Sequence, residues 1–163
     1  MKAKEITFGG IMVALGVLVL YFTTVIPINT LALLTLASCL IPITILRSNL
    51  KLGTMVYVAT SFISFFILPI NYFLMYALFF GVYGLIKYFI EKIGTMPIEI
   101  VIKLIFFNII LFLLISFLNS FMVDLKINLP MWQFIIASEI CFLVYDYAIT
   151  IIISWYIKKF KNI

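Results

Sequence analysis

At 163 residues, with 66% hydrophobic residues, 10% charged residues and no histidine, the chain lies far from the roughly 25% charged composition of a soluble domain and reads as an all-α integral membrane protein. Its length leaves room for five or six spans of about 20 residues with short links, and excludes a soluble catalytic domain of ordinary size beside them. The net charge of +5 belongs with a membrane surface facing anionic lipid rather than with a nucleic-acid patch.

In chain order the apolar runs predict six transmembrane helices, over 6–26, 31–46, 52–68, 72–90, 98–118 and 132–157, forming a single membrane domain over 1–163. The first run is too long for a signal-peptide core and lacks a small-x-small cleavage site, so it reads as a retained helix. It carries small residues at Gly9, Gly10, Ala14 and Gly16, with Gly10 and Ala14 at the small-xxx-small spacing that lets helix backbones approach closely. That spacing serves either packing within the bundle or a docking face for another protein, the latter placing Gly9, Gly10 and Ala14 at the partner.

A tight link at 27–30 leads to the second span, which holds Pro42 and is expected to kink there, because proline removes a backbone bond. Residues 47–51 form a basic turn, and 69–71 a second tight, uncharged link. The fourth span is rich in aromatic residues, which at helical spacing are more often packing than a ligand box. Around the next polar link, Lys87 with Glu91 and Glu99 with Lys103 are spaced i and i+4 and read as surface pairs near the headgroups. Lys103 is expected to snorkel to the interface. The longest link, 119–131, holds Asp124, Lys126 and Pro130, and Pro97 suits a first helical turn.

Charge bias then sets the orientation, since short loops rich in Lys and Arg stay cytoplasmic. Six spans place Lys2, Lys4, Arg47, Lys51, Lys87, Lys92, Lys103, Lys158, Lys159 and Lys161 on one side and Lys126 alone on the other. Both termini are therefore expected in the cytoplasm of a multi-pass cell-membrane protein, with Trp132 and Trp155 as interfacial anchors.

The last span alone carries carboxylates deep in an apolar run, Glu139 and Asp146. A charged Asp at a helix centre costs about 2.5 to 3.5 kcal/mol even on insertion scales. At about 100° per residue, a seven-residue separation leaves the two roughly 20° apart on one helix face, with Thr150 on the same stripe. They are expected either to face a polar cavity and bind a cation, a proton or a hydrogen-bonding solute, or to be protonated or bonded to a neighbouring hydroxyl such as Ser138 and lock the packing. The sequence offers no evident mid-membrane Lys or Arg partner, which argues against an internal salt bridge. Asn29, Asn71 and Tyr76, near the outward links, are further candidates to line a substrate cavity. Cys39 and Cys141 lie in apolar runs and read as packed thiols. Without histidine, paired cysteines or clustered carboxylates, the sequence predicts no metal site, no cofactor and no enzymatic centre.

Six short spans, both ends inside, the Gly10/Ala14 spacing in the first helix and polar groups towards the outer side resemble the substrate-binding S component of energy-coupling factor (ECF) vitamin transporters. In that family an Ala-x-x-x-Ala-type pattern in the first helix docks a transmembrane coupling subunit. The comparable spacing here is Gly10 with Ala14, and the link 27–30 corresponds to the one that helps close over substrate. The resemblance implies a binder of a vitamin or small organic micronutrient, working with a coupling subunit and two ATPase subunits, since this chain has no phosphate-binding glycine loop of its own. The alternative is a non-transport scaffold of cell-shape or cell-wall machinery, of the size and helix count of rod-shape-determining membrane protein D.

Overall fold

The computed structural model describes residues 3–120 and 130–160, so Lys2, Asp124, Lys126 and Lys161 lie outside the described residues. Among the described residues six helices are long and apolar enough to cross a membrane, which makes this a multi-pass membrane protein: α1 (Ala3–Val25), α2 (Thr30–Arg47), α3 (Leu50–Ile67), α4 (Ile70–Ile90), α5 (Met96–Ser120) and α6 (Met131–Phe160). No strand occurs among the described residues. Apolar side chains run round every side of α1 and α5 rather than along one stripe, as in helices solvated by lipid.

The breaks between helices follow local chemistry. A short 3₁₀ turn, Pro27–Asn29, joins α1 to α2. Asn49 caps α3 by accepting a hydrogen bond from the Leu52 amide at 2.8 Å, satisfying one of the amides a helix start leaves open. Between α4 and α5 the chain turns through Gly94 at φ 73°, a left-handed conformation that costs glycine little.

The chain divides into two compact units, Met1–Phe89 and Ile90–Ile163. In the first, α1 packs on α2 and α3, and α2 packs on α3 and on the middle of α4. Glycines set the closest approaches. A Cβ on Gly9 would lie 2.9 Å from Leu52 Cδ1 of α3, and one on Gly16 would lie 3.3 Å from Thr60 Cγ2. α2 runs through Pro42 to Arg47, with Pro42 buried, and a Cβ on Gly84 would sit 3.0 Å from its ring. Large residues closing this interior include Leu20, Leu34, Ile41, Tyr76 and Tyr83, each at most 1% exposed.

α4 departs from the uniform helix expected over 72–90. Met75–Phe80 winds as a π-helical turn, and the Gly81 amide donates to the Tyr76 carbonyl five residues back. Tyr57 of α3 accounts for this locally: its hydroxyl donates to the Ala77 carbonyl at 2.8 Å, supplying a partner inside the widened turn. Gly81 then lets the Tyr57 ring lie against the backbone, since a Cβ there would fall 2.7 Å from the ring.

In the second unit α5 and α6 form an antiparallel hairpin. Phe107 and Phe142 stack nearly parallel, with centroids 4.6 Å apart and 8° between planes. Trp132 and Trp155 both point outward, and Lys159 Nζ lies 4.7 Å from the Trp155 ring centre.

Candidate functional site

The acidic stripe of α6 faces α5, and its two carboxylates meet different partners. Asp146 Oδ2 accepts a hydrogen bond from Lys103 Nζ at 2.9 Å. The Lys103 ammonium also lies 3.6 Å from Glu91 Oε1. The Lys103 and Asp146 side chains are 8% and 17% exposed, so this is a buried ion pair flanked by a second carboxylate. The expectation of no internal salt bridge is thereby overturned: Lys103 turns its ammonium to Asp146 and lies near Glu91 of the α4–α5 link. The cause is hairpin register: Lys103 stands seven residues into α5, about 10 Å at 1.5 Å per residue, where antiparallel pairing sets it beside the middle of α6. Its apolar stem packs between the helices and its charge is answered sideways.

Glu139 has a milder partner. Asn108 Nδ2 donates to Glu139 Oε1 at 3.2 Å while also donating to its own-helix Leu104 carbonyl at 2.9 Å. The carboxylate is half-buried. Ser138, the neighbouring hydroxyl expected to serve it, donates to the Ile135 carbonyl at 2.8 Å instead. Thr150 likewise turns its hydroxyl onto the Asp146 backbone carbonyl at 2.8 Å. The hairpin therefore presents three successive layers: Asn108 with Glu139, the stacked Phe107 and Phe142, and Lys103 with Asp146.

The other predicted substrate residues lie in the first unit. Tyr76 sits in the π turn of α4, 1% exposed, with its phenol beside Thr60 of α3. Asn71 stands half-buried in the first turn of α4, and Asn29 is exposed at the end of the 3₁₀ turn. Asn29, Asn71 and Tyr76 belong to the unit Met1–Phe89, and Glu139 and Asp146 to the unit Ile90–Ile163.

Sequence reasoning passed over a further feature beside Tyr76. Ser64, 1% exposed, carries a hydroxyl with no hydrogen-bond partner among the described residues, next to Thr60, also 1% exposed, and Ser61, whose hydroxyls face the Tyr76 and Tyr57 phenols. In an apolar helix such hydroxyls ordinarily bond back to the preceding turn, as Thr44 does to Leu40 at 2.7 Å. The signal was present as hydroxyl residues at 60, 61 and 64, one turn of α3. Lys87, whose spacing from Glu91 predicts a surface pair, is 1% exposed, with its ammonium 6.0 Å from the centre of the Tyr83 ring.

The small-residue cluster of α1 divides between two faces. Gly9 and Gly16 are buried against α3. Gly10 and Ala14 are exposed, and a Cβ on Gly10 would meet nothing within 4 Å. Among the described residues no three metal-ligating side chains cluster. No protein-family model matches the chain, and neither a curated protein nor a solved structure matches it.

Proposed function

We propose that this multi-pass membrane protein is the substrate-binding subunit of an importer of the energy-coupling factor type, taking up a vitamin-like organic micronutrient across the cell membrane with both termini in the cytoplasm. The observation that carries the reading is the inequality of the two carboxylates of α6. Asp146 has a lysine within the hairpin, whereas Glu139 is met by the neutral Asn108 amide. An intramembrane carboxylate without a cation from its own helix pair suits an amine-bearing or strongly hydrogen-bonding solute. Within the first unit, the unpartnered Ser64 hydroxyl near Thr60 and Tyr76 is a separate source of hydrogen-bonding capacity. The exposed Gly10 and Ala14 strip gives a coupling subunit a surface on which helix backbones can approach closely. Transport then draws its energy from two separate ATPase subunits.

The test is mass spectrometry of small molecules retained by the detergent-purified protein, with Glu139→Gln as control. A retained organic solute lost in the variant supports the importer. No retained solute under any growth condition, with stable co-purification of cell-wall machinery, overturns it. The scaffold alternative draws its support from Lys103 and Asp146, which commit one of the two carboxylates to holding helices together.

A further inference from the structure

Asn108 and Glu139 form the polar layer of the α5–α6 hairpin that no cation meets among the described residues, and their hydrogen bonds define what the layer lacks. The Leu104 carbonyl only accepts, so it fixes which end of the Asn108 amide is nitrogen. Nδ2 donates to Leu104 at 2.9 Å and to Glu139 Oε1 at 3.2 Å, which commits both amide hydrogens. Asn108 Oδ1 and Glu139 Oε2 have no hydrogen-bond partner among the described residues. The pair therefore offers acceptors alone, one of them on a carboxylate.

Geometry and depth narrow the occupant. Amide bond lengths put Oδ1 about 2.2 Å from Nδ2, hence within about 5.4 Å of Glu139 Oε1. One ammonium nitrogen bonded at about 2.8 Å to the amide oxygen and to the carboxylate closes that gap. The same face of a second copy would bring the same acceptors with no donor left. A lipid headgroup lies too high, because Glu139 stands eight residues beyond the start of α6, about 12 Å at 1.5 Å per residue. Four residues along, towards the same end of the antiparallel hairpin, Phe112 of α5 and Ile135 of α6 continue the two helix faces and are 72% and 38% exposed. They give the acceptors an apolar flank.

Resting on the importer reading above, we propose that the solute taken here is a protonated amine with N–H donors, its nitrogen bonded to both Glu139 and Asn108 and its apolar body against Phe112 and Ile135. Asn108 then sets specificity: a carboxylate attracts any cation, whereas an amide oxygen distinguishes an ammonium with hydrogens from a quaternary one. The test is isothermal titration calorimetry of the full chain in phosphatidylcholine nanodiscs at neutral pH, blanked against empty nanodiscs, with phenethylamine and its trimethylammonium analogue as probes. Phenethylamine binds about tenfold tighter, the equivalent of one hydrogen bond to a charged group. Asn108→Leu weakens the amine to the level of the analogue, and its retained binding of the analogue shows that the fold is intact. Glu139→Gln abolishes binding of both, and Glu99→Gln, a carboxylate outside the pair, changes neither. Equal binding of the two probes by the unaltered chain, a preference that survives Asn108→Leu, or binding that survives Glu139→Gln overturns the site. A co-purified solute that lacks a basic nitrogen and is lost in Glu139→Gln overturns the amine assignment and leaves the importer standing. The expected probe binding without any co-purified solute supports the site and counts against the importer alone.

Discussion

Lys103, two turns into α5, and Asp146, near the middle of α6, meet at 2.9 Å across a hairpin of two helices that are otherwise almost wholly apolar. A pair of this kind is held by the cost of leaving either member alone. Removing one partner of a buried ion pair costs about 3 to 5 kcal/mol, whereas replacing both with apolar groups of similar size is close to neutral. Lys103→Met and Asp146→Leu should each lower the thermal midpoint in detergent, and the double variant should recover most of the loss. Equal and additive losses would mean that the two charges are not coupled.

Glu139 allows binding and folding to be separated. Gln at 139 keeps a carbonyl oxygen to accept from Asn108, so the interhelical hydrogen bond survives in neutral form. Such bonds average about 0.6 kcal/mol within membranes, and Glu139→Gln should leave the unfolding midpoint within a degree or two of the parent. Retention of an amine-bearing solute should nevertheless fall sharply, as read by mass spectrometry of the purified protein.

The π turn of α4 should depend on a residue outside α4. Tyr57→Phe deletes the donor to the Ala77 carbonyl while leaving the ring, and should cost about 1 kcal/mol. Gly81→Ala places a methyl against that ring and should cost about 1 to 3 kcal/mol by overpacking. Denaturant titration in mixed micelles measures both. A Tyr57→Phe variant as stable as the parent would place the origin of the π turn elsewhere.

The two faces of α1 should respond differently to bulk. Gly9→Val pushes into Leu52 and should destabilise the fold by about 1 to 3 kcal/mol. Gly10→Leu, on the open face, should change stability by no more than about 0.5 kcal/mol while abolishing co-purification of a transmembrane partner. If Gly10→Leu leaves every such partner bound, α1 is not the docking face.

Six apolar runs bounded by Pro27, Pro69 and Pro97 are readable from sequence because lipid imposes a length and a polarity that no soluble context mimics. The acidic face of α6 was equally legible from the seven-residue spacing of Glu139 and Asp146. The partner of Asp146 was not, because its position depends on hairpin register and Lys103 read alone looks like an interfacial residue. For the same reason the π turn was invisible: its cause is the Tyr57 hydroxyl on another helix. Adjacent Gly9 and Gly10 read as one cluster, but about 100° of helical rotation puts one against α3 and leaves the other outside.

The meeting of Lys103 and Asp146 also bears on how the chain enters the bilayer. α5 precedes α6 in synthesis, and α6 brings two carboxylates into an environment that penalises each of them. A lysine already placed in α5 gives Asp146 a counter-ion on arrival, so biogenesis of the last helix depends on the one before it. A chain whose α5 has lost Lys103 should deliver a larger share of copies with α6 left outside the membrane, before the question of folding arises.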